Sequence, residues 1–160
     1  MIGTKMPTGE RNQEKSGSDD DFAVSHADDL IGELSEALHT VGVSHECYHD
    51  CVMVTIPGSV LEVKFWSDGS DSVQMIPGDF HTHLQILALE TGLSGAVAFA
   101  VFAKKVLSGE FPLIEETTLG GGVRQTIERS LEEYLRYRPK GTTYRVLNGT
   151  SSVSQARRLD

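Results

Sequence analysis

Between Val43 and Phe80 the pattern is that of strands: apolar residues alternate in short runs that turn sequences interrupt. Val52, Val54 and Ile56 alternate with other residues until Pro57-Gly58. Leu61, Val63 and Phe65 then alternate with Glu62, Lys64 and Trp66. After the loop-like Ser67-Asp68-Gly69-Ser70-Asp71, Val73 to Ile76 leads into Pro77-Gly78 and on to Phe80-His81-Thr82-His83. A period of two places successive side chains on opposite faces of a strand. Turns this short join antiparallel neighbours, because a parallel crossover needs about a dozen residues. The region is therefore predicted to be an antiparallel meander with one apolar face, and such a face needs helices to cover it.

The flanking segments supply those helices. Ser25 stands before a helix over about 26–41, with Asp28 and Asp29 in its first turn and Leu30, Ile31, Leu34, Leu38 and Val41 at helical spacing; Gly42 follows as a C′ residue. Leu84 to Leu89 reads as a short helix broken near Gly92. Ser94 can cap a strongly apolar helix carrying Ala96, Phe99, Ala100, Phe102, Ala103, Val106 and Leu107 and ending at Gly109, expected deep against the sheet. Phe111–Thr117 and Val123–Arg129 form a hairpin around Gly120-Gly121-Gly122, although Val123, Ile127 and Leu131 also fit one helix face. The capping box Ser130-Leu131-Glu132-Glu133 decides for the strand by placing a helix start at Ser130; Pro139 stops that helix, and Thr142–Leu147 is a last strand. The fold expected is α+β: a mainly antiparallel sheet of about five to seven strands, with the helices at 26–41 and 95–108 packed on one face.

Residues 1–21 hold almost no apolar side chains and are expected to be a disordered arm. Residues 22–150 are expected to form one α+β domain, and 151–160 a frayed tail. A domain of roughly 130 residues buries enough surface to fold without metal or disulfides, so no cofactor is required.

The formal charge is −9, from 23 acidic and 14 basic residues, and the arm accounts for only −2 of it. Such a field repels phosphate backbones and anionic lipid, which argues against nucleic acid and membrane surfaces and favours a basic protein partner. The longest apolar run, Gly95 to Ala103, is about half of what spans a bilayer. Cys47 and Cys51, the only cysteines, with no leader-like segment, point to a reducing cytoplasm.

Two groups of residues have metal-ligand chemistry. On an extended strand His45, Cys47, His49 and Cys51 would share one face, but spread over roughly 20 Å, so at most two neighbours could share an ion. A bend at His49-Asp50 would dissolve even that face. The second group is His81-Thr82-His83, an H-x-H pair whose imidazoles would point the same way. Its alternative reading is a strand end whose histidines bond neighbouring backbone or face solvent. The pair resembles the core of JAMM metalloproteases, whose pattern continues H-x-H-x7-S-x2-D. Here Thr91 stands at the serine position and Ser94 at the aspartate ligand position, so the third protein ligand is missing. The resemblance would imply zinc at His81 and His83. No nucleophile elbow, dinucleotide fingerprint, P-loop or H-E-x-x-H is present. Gly120-Gly121-Gly122 reads as a hairpin turn rather than an anion site, and Glu115-Glu116 and Glu132-Glu133 as solvated faces.

The order of elements around Gly78-Asp79-Phe80-His81-Thr82-His83 is similar to a loose group of uncharacterised bacterial proteins with a G-x-x-H-T-H element, some of which resemble immunity proteins of toxin systems. That resemblance implies a stoichiometric inhibitor of a basic toxin and assigns no catalytic residue. A metal-dependent hydrolase centred on His81 and His83 is the alternative, and a structural homo-oligomer a third.

Overall fold

The computed structural model describes residues 19–149. Of the expected arm over 1–21, residues 1–18 lie outside the described residues and 19–21 belong to the first helix; the expected tail over 151–160 also lies outside them. In chain order the elements are α1 (Asp19–Thr40), β1 (Glu46–Cys47), β2 (Cys51–Ile56), β3 (Ser59–Phe65), β4 (Asp71–Ile76), β5 (His81–Thr82), α2 (Leu84–Thr91), α3 (Gly95–Leu107), β6 (Leu113–Thr117), β7 (Val123–Ile127), α4 (Leu131–Tyr137) and β8 (Thr143–Val146). This is an α+β fold with two antiparallel sheets, a five-stranded one in the order β1-β2-β3-β4-β5 and a three-stranded one in the order β7-β6-β8.

The meander forms as its alternation requires. Register pairs Val52 with Val63 and Val63 with Val73, and Val54 with Leu61 and Leu61 with Met75, so these side chains line one face. All six are almost completely buried. α1 and α3 pack on each other and both reach β2, covering that face with Leu34, Leu38, Phe99, Ala100, Ala103 and Val106. Each large apolar side chain sealed this way contributes about 1.5–3 kcal/mol.

Three expectations change. α1 begins at Asp19, seven residues ahead of the expected start, and Ser25 lies inside it. Leu107, expected in the core, is 40% exposed, because the α3 seam closes at Val106 and the next residue turns outward. The strands also divide between two sheets. β6 takes β7 and β8 as its two neighbours, so neither side of β6 is free to pair with a strand of the larger sheet.

The sheets meet where the Pro77–Asp79 loop touches β7. The Asp79 amide donates to the Gln125 carbonyl at 2.9 Å. Gly78 makes this approach possible: its φ is 156°, and a β-carbon there would collide with the Met75 side chain. The caps predicted for α3 and α4 hold, unlike the one at Ser25. Ser94 accepts from the Val97 amide and Ser130 from the Glu133 amide, while Gly92 ends α2 in the left-handed conformation.

Candidate functional site

β5 is the short edge strand of the larger sheet, and its register sets His81 opposite Gln74. His81 and His83 do share a face, as an H-x-H pair should, with ring centroids 5.0 Å apart and the rings edge to face. Both are exposed. His83 Nδ1 donates to the Asp71 carbonyl at 2.5 Å, which leaves its Nε2 toward other partners. Asp71 Oδ1 meanwhile accepts from the Leu84 amide at 2.8 Å, satisfying the start of α2. Thr91 and Ser94, at the serine and aspartate positions of the hydrolase pattern, are spent elsewhere. Thr91 Oγ1 bonds the Leu87 carbonyl at 2.8 Å, and Ser94 caps α3. The eight residues of α2 carry Thr91 roughly 12 Å beyond His83; the chain then folds back, so that Gly95 packs against Leu84 and Ser94 lies near the pair again, but with a hydroxyl in place of a carboxylate.

The other group is not an extended strand. The chain reverses at His49-Asp50, and the Tyr48 amide donates to the Cys51 carbonyl at 2.8 Å, so β1 and β2 form a hairpin. Cys47 pairs with Val52 and points to that residue's side of the sheet, whereas Cys51 points to the other. His45 is fully used: Nδ1 donates to the Val43 carbonyl at 3.0 Å, so Nε2 accepts from Ser35 Oγ at 2.8 Å. Burial first, then the negative charge of Glu62, pushes the Cys51 thiol up, the reverse of what a nucleophile requires. β1 and β5 are opposite edges of the five-stranded sheet, roughly 19 Å apart, so the two groups cannot pool ligands. Among the described residues no three histidine, cysteine, aspartate or glutamate side chains converge as a metal site would need.

The smaller sheet holds a correction. Glu116, expected on a solvated face, is 2% exposed. It accepts from Tyr134 Oη at 2.6 Å and from Arg124 Nε at 3.0 Å, and Arg124 also reaches Asp79 at 3.6 Å. Adjacent strand residues face opposite ways, so Glu115 and Glu116 never formed a pair. Glu115 bonds Arg145 at 2.6 Å on the other face, and that contact holds its carboxyl below the usual range. In the hairpin turn the Gly121 and Gly122 amides bond Thr118, which leaves those two donors nothing to offer an anion.

A further feature went unread in the sequence although a count by halves exposes it. From Asp19 to Ala103 the chain carries fourteen acidic side chains and one lysine or arginine, Lys64; from Lys104 to Asn148 it carries eight basic and six acidic. The acidity therefore belongs to the larger sheet with α1 and α2. Asp28, Asp29, Glu33 and Glu36 are all exposed on α1, and among the described residues no lysine or arginine pairs with them. Beside them, α1 and α3 leave a groove of about 350 Å³ lined by Glu33, Glu36, Ala37, Val41, Ala96 and Val97. Among the described residues no single helix is long and apolar enough to cross a membrane.

No protein-family model matches the chain, and no curated protein and no solved structure matches it either.

Proposed function

We propose that this chain is a binding domain for a basic protein, with inhibition of a basic toxin as the role implied by its resemblance to immunity proteins. The observation that carries this reading is the segregation of charge: fourteen acids against one lysine over residues 19–103, with the α1 acids exposed and unpaired among the described residues. Such a face accelerates encounter with a positive partner and discriminates against acidic ones. The test is capture from the source organism, followed by reconstitution of the complex from purified components at several salt concentrations. A basic partner whose association slows steeply with salt is the expected result. A neutral or acidic partner bound with no salt dependence would discard the proposal.

The side-by-side imidazoles of His81 and His83 favour a second reading, a metal-dependent hydrolase. It predicts about one zinc per chain in untagged protein, lost on His81→Ala/His83→Ala, and a melting temperature lowered by chelator. The binding reading expects neither. Elemental analysis paired with melting curves, with and without chelator, separates them.

A further inference from the structure

We infer that the groove between α1 and α3 is the docking site for the basic partner, and that it receives an arginine-bearing amphipathic segment. This rests on the binding reading above and assigns it a place. The groove has two chemistries side by side. Its floor is apolar and small, with Ala37 and Ala96 allowing close approach, and Val97 at its mouth is 40% exposed. Its rim carries Glu33 and Glu36, three residues apart and so on one side of the helix, with Asp29 one turn earlier. At about 350 Å³ it sits at the lower end of the range for ligand pockets, a size for anchoring side chains rather than a large cofactor. An arginine fits both chemistries. Its aliphatic stem lies on alanine and valine while the guanidinium meets the two carboxylates.

A purely apolar occupant would strip water from Glu33 and Glu36 without replacing it, which carries a heavy penalty. A second copy of this chain is a poorer occupant, because most cations of its opposite half are already engaged. Arg124 is held by Glu116, Arg129 by Glu90, Arg136 by Glu132, Arg145 by Glu115 and Lys105 by Glu110.

The test uses the full chain and two synthetic amphipathic helices of one pattern, one of leucine and arginine, the other with glutamate in place of arginine. Amide shifts map the contact and fluorescence anisotropy measures affinity. The arginine peptide should move the amides of residues 33–41 and 94–97. Glu33→Gln/Glu36→Gln should weaken it roughly tenfold or more. Glu46→Gln/Asp68→Asn, exposed acids elsewhere, should change affinity less than about twofold. Val97→Arg, a substitution at the exposed mouth, should abolish the contact while leaving the melting temperature in place. If the two double variants weaken binding equally and the groove amides stay still, the groove is not the site, though the preference for basic partners survives. If the glutamate peptide binds as well as the arginine one, both the groove and the binding reading fail. A dimer in sedimentation that Val97→Arg dissolves would make a second copy the occupant and overturn this assignment.

Discussion

Phe99 and Glu116 occupy equivalent places in the two halves of the molecule. Each is almost completely buried where a helix meets a sheet, and each is among the largest side chains so enclosed. Phe99 belongs to a core cluster of Leu, Val, Ile, Phe, Ala and Met side chains, over which the larger sheet closes. Around Glu116 they are Tyr134 and Arg124, hydrogen-bonded in fixed directions. Apolar contact is strong and undirected, so the first half gains most of its stability there and tolerates imperfect geometry. A buried carboxylate gains little net stability, but it penalises every arrangement that leaves it unpartnered. The smaller sheet has only a few apolar side chains to seal, and its polar contact orients α4 instead. The same division appears in the charge, where residues 19–103 carry 14 acids against one base while 104–148 carry more bases than acids.

Four substitutions test this contrast, from the largest effect down. Phe99→Ala should cost about 3–5 kcal/mol in denaturant unfolding, since the site is fully enclosed. Glu116→Ala should cost less, about 2–3 kcal/mol: it strands the Tyr134 hydroxyl, while Arg124 is partly exposed and can turn to water. A larger loss for Glu116→Ala than for Phe99→Ala would show that the polar contact, not the dry core, holds the fold.

Tyr134→Phe keeps the ring and removes one hydrogen bond to a charged acceptor, for about 1.5–2 kcal/mol near neutral pH. Burial first, then the bond to Glu116, holds the Tyr134 hydroxyl well above its usual range. The unfolded chain ionises near pH 10 and the folded chain does not, so that stability is intact below about pH 10 and declines above it. Alkaline unfolding curves should therefore be shallower for Tyr134→Phe than for the parent. Equal slopes would mean that the hydroxyl is not sequestered.

Glu128→Gln should have the smallest effect and the opposite sign. Burial first, then the charge of Glu133, raises the Glu128 carboxyl above its ordinary value. At neutral pH it is held ionised where the charged form is disfavoured, so its removal should raise the melting temperature by about 1–2 °C. Below about pH 4 the carboxyl is protonated in both states and the gain should vanish. A gain that persists in acid would place its origin in packing.

The meander, the capped helices and the turn glycines were legible because each depends on local rules: alternation of two, helical spacing, a cap three residues before its amide. The His81–His83 pair was legible for the same reason, since two positions on one strand share a face whatever surrounds them. Glu116 was not. Its neighbour Glu115 looks identical in the chain, and only the arrival of Tyr134 from α4 on one face of β6 separates a fully buried acid from a partly exposed one. The extent of α1 was missed because Ser25 is an acceptable local beginning, yet the helix runs through it.

By itself the sequence determined the α+β class, the order of the elements, the antiparallel pairing of neighbours and the acidic character, because periodicity, turn chemistry and charge count require no knowledge of distant residues. Only the tertiary structure decided that the strands divide into two sheets and that His45 and Cys47 lie at the far edge from His81 and His83. It also decided that Glu33 and Glu36 border an apolar groove. Those outcomes depend on which faces bury one another, and burial is a property of the assembled core rather than of any segment.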